Sequence, residues 1–112
     1  LGCHLTGIGD PDLLRARAKR LGRRCPIRVI EPDQFDDAAS ASGGLDVWPT
    51  RLGALDTCGR LDVANASYVL ETIAEGARAC LDGRFDALVT APVHKAIVWQ
   101  DRRTAPACRF RK

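Results

Sequence analysis

Asp86-Ala87-Leu88-Val89-Thr90-Ala91-Pro92-Val93-His94-Lys95 is the stretch on which the reading of the fold turns. Asp86 to Thr90 reads as a short buried strand. An apolar run of that length, closed by a breaker at Pro92, suits a central parallel strand covered on both faces. The polar pair His94 and Lys95 follows at once. In open α/β sheets ligands bind past the carboxyl ends of strands. An imidazole and a cation placed there are candidates to meet an anionic substrate or a cofactor. The plainer alternative is a loop-facing polar pair that starts the next helix.

The residues upstream supply a helix for that strand. Between Asp62 and Leu81, the residues Ala66, Val69, Leu70, Ile73, Ala77, Cys80 and Leu81 recur at three- and four-residue spacing and make one apolar stripe. Asp62 can cap the start and Gly83 can close the end. Helix then strand predicts the second half of a β-α-β crossover. Nearer the N-terminus, Pro11 suits a first helical turn and Gly22 a stop, giving a basic helix that runs to Leu21. Pro26 to Ile30 alternates and ends at Glu31-Pro32, as a strand does. Asp36 to Gly44 is small and polar, a connection. A short strand is expected around Leu45 to Trp48. Alternating strands and helices predict an α/β protein with a parallel sheet.

Thr6 to Pro11 reads as a turn-rich lead-in, with Leu1 to Leu5 a poor preceding strand. Gly7-Ile8-Gly9 has two readings: backbone amides at a helix N-terminus cradling a phosphate, or a tight turn that needs positive φ. It is not a full G-x-G-x-x-G, so the turn is preferred.

With 112 residues the chain can form one modest core, though it is short for a doubly wound fold with its own active site. No apolar run reaches about 18 residues and no signal-peptide pattern opens the chain, so a membrane is not expected as a partner. The chain begins with Leu1 and has no methionine, which reads as a fragment or an unusual start. Five scattered cysteines without a C-x-x-C pair argue for reduced thiols rather than a disulfide framework or zinc site, and so for a cytoplasmic location. Five basic residues and one acidic residue lie from Asp101 onward, so the net charge of +3 belongs to the tail. Such a tail invites comparison with nucleic-acid binders, yet Phe110 is its only aromatic and nucleic acid is not the expected partner. Glu71 and Glu75 read as a solvated helix face, and His4, near the terminus, as a solvated side chain.

Three blocks together resemble the 4-hydroxythreonine-4-phosphate dehydrogenase family. Gly7-Ile8-Gly9 with Pro11-Asp12-Leu13 resembles its glycine-rich turn and first helix. Gly59-Arg60-Leu61, Ala64-Asn65 and Tyr68-Val69-Leu70-Glu71-Thr72 look like its long helix and lead-in. Asp86 to Lys95 is close to its strand-and-loop signature. The resemblance runs from about Thr6 to Val98 and corresponds to the N-terminal part of a family chain. It implies a partial, truncated parallel-sheet layer of the isocitrate/isopropylmalate dehydrogenase-like fold. It also implies NAD or NADP and a divalent metal (Zn, Mg or Co) as cofactors, a phosphorylated hydroxy amino acid as substrate, decarboxylation after oxidation, and a homodimer. In such a reaction the metal polarises the hydroxyl and then the carbonyl while hydride passes to the nicotinamide. Within this chain His94, Lys95, Gly7 and Gly9 are the candidate cofactor-binding residues. Catalytic residues and metal ligands are expected downstream, outside it.

The chain also departs from the family pattern. Asp10 appears before Pro11, His4-Leu5-Thr6 stands where the family has Asp-Pro-Ala, and a Gly-His-Thr-Glu block expected soon after Val93-His94-Lys95 is missing. Codons for Pro106 to Arg111, read two nucleotides later, can spell Gly-Met-Pro-Phe-Ser, which resembles the family's run before that block. Residues 1–98 therefore read as dehydrogenase and 99–112 as a basic tail, out of frame or disordered. The resulting expectation is an inactive fragment of a pyridoxal phosphate-synthesising oxidoreductase. Its rivals are a non-catalytic remnant serving as a binding or dimerisation module and a small basic nucleic-acid-binding protein.

Overall fold

Three short strands pair in parallel, in the order β1-β3-β2: β1 is Thr6–Gly9, β2 is Ile27–Val29 and β3 is Leu45–Pro49. They come from a computed structural model of the chain, which describes residues 4–31, 43–54 and 57–100. Parallel pairing needs a crossover, and helix α1, Pro11–Arg20, supplies it between β1 and β2. The central position falls to β3, the most apolar of the three, with Val47 fully buried and Trp48 nearly so. Thr6 and Arg28 both stand opposite Asp46. The ladder runs past the strand ends, where Thr50 donates its N–H to the Gly9 carbonyl and Ile30 to that of Val47.

The α/β class and parallel sheet expected from the sequence are present. Helix α1 starts where Pro11 predicts and ends one residue before Leu21. Its N-cap is Asp10, whose carboxylate accepts from the amides of Asp12 (2.9 Å) and Leu13 (3.3 Å). Arg17, Lys19 and Arg20 fill its last turn, complementing the helix dipole. Gly22 then closes it at φ 62°.

One expectation here is corrected. Thr6 to Gly9 is a strand, not a turn, and neither Gly7 nor Gly9 has positive φ. Pairing with β3 overrides the poor strand propensity of two glycines. The expected connection at Asp36 to Gly44 lies largely outside the described residues.

The chain divides into two compact units, Leu1–Arg51 and Leu52–Lys112. The second is helical. A 3-10 turn, Val63–Asn65, leads into α2, Ala66–Leu81, and α3, Lys95–Gln100, packs against α2 and that turn. Asp62 caps the 3-10 turn, accepting from the Ala64 amide at 2.8 Å, rather than capping α2 directly. Gly83, at φ 73°, closes α2 as expected. The buried positions of α2 are Ala66, Gly76 and Ala79, while Ala77 and Leu81 of the expected stripe are exposed. The burial is thus rotated toward small side chains, which allow close approach.

The strand expected at Asp86 to Thr90 is absent. The segment carries no strand pairing, and Leu88 and Val89 are 38% and 92% exposed. An apolar run becomes a strand only when a neighbour satisfies its backbone groups, and no described residue of the second unit forms a strand. The second half of the predicted crossover is therefore not formed within the described residues. The expected tail at 99–112 lies outside them from residue 101.

Candidate functional site

The register of the sheet brings three charged or titratable side chains to one point. Asp46 lies near the start of β3, opposite Arg28 of β2. Arg28 grips it bidentately, Nε to Oδ1 and Nη2 to Oδ2, both at 2.6 Å. His4, two residues before β1, shares a hydrogen bond between Nε2 and Oδ2 at 3.0 Å. Asp46 is only 1% exposed, yet its cover is thin, since His4 and Arg28 themselves face solvent. Hydrogen bonding from Arg28 holds the Asp46 carboxyl below its ordinary value near 3.8, and the bond from His4 adds to it, against an opposing contribution from desolvation. His4 is thus engaged with β3 rather than simply solvated.

This cluster is a poor metal site. Its carboxylate already accepts a bidentate guanidinium, whose charge repels a second cation. Among the described residues no group of three or more His, Cys, Asp or Glu is placed to hold a metal.

At the opposite, carboxyl end of the sheet an open cleft of about 270 Å³ is lined by Pro11, Asp12 and Arg15 of α1, by Val29 and Pro49 at the ends of β2 and β3, and by Glu31 and Arg51. Asp12 ties two guanidinium groups together, Arg15 Nη1 at 2.9 Å on Oδ1 and Arg51 Nη1 at 3.5 Å on Oδ2. The first-turn amides that a phosphate would use beside Gly7 and Gly9 already donate to Asp10.

His94 and Lys95 stand in the second unit at the start of α3, both exposed. The His94 carbonyl accepts from Ile97 and Val98, which begins the helix. Neither side chain bonds to a described residue. Asn65 has a structural use: its Oδ1 accepts from the Ala54 amide at 3.1 Å, pinning the loop before the 3-10 turn.

The family model described as pyridoxal phosphate biosynthetic protein PdxA matches residues 2–107 of this sequence. The chain belongs to the PdxA family. Relatives named 4-hydroxythreonine-4-phosphate dehydrogenase come from several bacteria. That of Methylococcus capsulatus is 52% identical over 97 residues, which are 86% of this chain and 29% of the relative. Those of Thioalkalivibrio sulfidiphilus and Ectopseudomonas mendocina are 48% and 45% identical, covering 81% and 84% of this chain and 27% and 28% of the relatives. The chain thus spans less than a third of the length of the curated relatives it matches. In this PdxA-family chain Gly7 and Gly9 lie in β1 of the first unit, and His94 and Lys95 precede and open α3 of the second. Sequence reading missed Asp46 and Arg51, because a single Asp or Arg in a short segment carries no local signal.

Proposed function

We propose that this chain supplies the opening portion of an NAD(P)-dependent oxidoreductase that acts on 4-hydroxythreonine-4-phosphate in pyridoxal phosphate synthesis. The observation that carries the reading is family identity at 45–52% across most of the chain, paired with a parallel sheet of the right class. The complete protein would then be a homodimer of the isocitrate/isopropylmalate dehydrogenase-like fold in the cytoplasm, with the matched residues 2–107 in its first part. When bound, the nicotinamide accepts hydride and a divalent metal polarises the hydroxyl. The described residues do not fit that metal.

Within this chain, binding of an anionic group falls to the exposed side chains of His94 and Lys95. Gly7 and Gly9 are less suited to it, because Asp10 uses the adjoining amides and Asp12 adds a second negative charge. Lys95 presents a compact cation with donors on a flexible stem, and His94 an imidazole with a ring N–H donor. Alone, the chain binds or orients rather than catalyses. The exposure of Val89, five residues before His94 in the sequence, favours, as second reading, a non-catalytic module that docks onto another surface.

A chimera tests the first reading. Residues 4–98 would replace the matching stretch of the Methylococcus capsulatus relative, and NAD or NADP reduction would be followed with 4-hydroxythreonine-4-phosphate and a divalent metal. Turnover is expected, with KM raised roughly tenfold by Lys95→Ala, the loss of one charge-assisted contact. A folded chimera without turnover, or turnover by the 112-residue chain itself, would refute the reading.

A further inference from the structure

We propose that the carboxyl end of helix α1 is a backbone site for double-stranded nucleic acid, where Lys19, Arg20, Arg23 and Arg24 meet phosphates without reading sequence. The site belongs to the first unit alone and is independent of both the dehydrogenase reading and the C-terminal tail. From Pro11 to Arg28 the chain has seven basic residues and one acidic residue, whereas residues 29–100 have five basic and eleven acidic. The near-neutral body thus hides a segregation of charge, with the basic share on α1 and the turn that closes it. Lys and Arg clustered along one helix are the electrostatic footprint of a polyanion site.

Arg15 and Arg28 are committed to Asp12 and Asp46. The four cations of the site are exposed, and none of their side chains bonds to a described residue. They are also held in place. Lys19 and Arg20 end α1, and Arg23 and Arg24 follow Gly22. The Gly22 amide donates to the Lys19 carbonyl at 3.1 Å, and that of Arg23 reaches back to the Ala18 carbonyl at 2.9 Å. These bonds fold the chain onto the helix end, so both pairs sit around one turn. Such pre-organisation lowers the ordering cost of binding. The helix dipole puts roughly half a negative charge at this end, too little to offset four cations. No aromatic residue lies between Pro11 and Glu31, so the base stacking that holds single strands has nothing to use here. A membrane surface would need a broad apolar helix face. Leu13, Leu14 and Ala18 are partly buried, which leaves Leu21, 73% exposed, as the one large apolar side chain open on α1 and its turn. A duplex offers a negative charge about every 1.7 Å along its axis, and the planar forks of three arginines suit phosphate.

The test uses the full chain and a short fluorescent DNA duplex, with binding read by anisotropy over a salt series. Saturable binding is expected, alike for A·T-rich and G·C-rich duplexes. Four phosphate contacts make affinity fall roughly a hundredfold between about 50 and 200 mM salt. The combined variant Lys19→Gln, Arg20→Gln, Arg23→Gln and Arg24→Gln should remove that share of the salt dependence. Arg24→Gln alone, which lies beyond the helix and decides the matter should the combined variant not fold, should lower the log–log salt slope by about one. Changing the five basic residues of the tail to Gln should leave the share due to the four cations in place. No saturable binding, a wild-type slope in Arg24→Gln, or binding that is lost with the tail's charges alone would each overturn the proposal. So would binding that depends on the four cations but is seen only with phosphatidylserine-containing vesicles and not with the duplex. The assay involves neither nicotinamide nor substrate, so failure of the chimera's dehydrogenase assay leaves its result independent.

Discussion

Asp46 holds the first unit together at its most buried charged position. Its two partners are unequal, and that inequality predicts the mutational outcome. Removing Asp46 leaves Arg28, which is half-exposed and regains water readily. Removing Arg28 leaves a carboxylate that is almost inaccessible with only His4 beside it. Breaking a buried pair costs most when the charge left behind stays dry. Arg28→Met is therefore expected to cost more than Asp46→Asn in urea unfolding, each on the order of 1–2 kcal/mol because both partners of Asp46 face solvent. Equal losses would show that the cover over Asp46 opens freely. The same carboxylate gives a pH dependence of defined sign. Its folded pKa lies below the ordinary value near 3.8, so its stabilisation is complete above that value and disappears as pH falls through the folded pKa. Thermal melts of the wild type should lose stability below about pH 4 more steeply than those of Asp46→Asn. None of this was legible in the sequence. Asp46 lies 42 residues from His4 and 18 from Arg28, and only strand register brings the three together.

At the scale of elements, local chemistry accounts for what the sequence disclosed and pairing for what it concealed. Helix α1 and the body of α2 were readable because caps, stops and periodicity lie within the segments themselves. Pro11, Gly22 and Gly83 all act where they were expected to. Strand β1 was misread because two glycines in four residues carry no pattern; it exists through its pairing with β3. The converse error fell on Asp86 to Thr90, whose apolar run promises burial but names no partner. The junction between β2 and β3 offers a sharp test of how closely this sheet is fitted. A Cβ on Gly44 would sit 2.8 Å from the Pro26 carbonyl oxygen, a backbone atom that also accepts from the Leu45 amide at 2.9 Å. Gly44→Ala is expected to destabilise by about 2 kcal/mol through this overlap, lowering the melting temperature. Gly22→Ala, with open space around it but φ at 62°, should cost nearer 1 kcal/mol from backbone strain alone. If the two variants melt alike, the junction relaxes and the overlap is not the controlling cost.

For the chain as a whole, the surface of the described residues shows several large apolar side chains, with Leu81 87% and Val89 92% exposed. Single exposed apolar residues are ordinary, but Val89 lies in a segment without helix or strand, whose backbone can recruit another chain. The isolated chain is expected to self-associate as its concentration rises, seen by sedimentation velocity. Val89→Lys should oppose this: it removes little packing, because the side chain contacts almost nothing, and places a charge where an edge would pair. In the chimera the same substitution should act in the opposite sense. If Asp86 to Thr90 becomes a covered strand there, a buried lysine without a partner costs several kcal/mol, and the chimera should lose both yield and turnover. A variant that improves solubility in the isolated chain and harms the chimera would place this segment in the interior of the complete protein. Equal benefit in both would make it surface in each, and the family's strand-like stretch would then be a loop wherever it occurs.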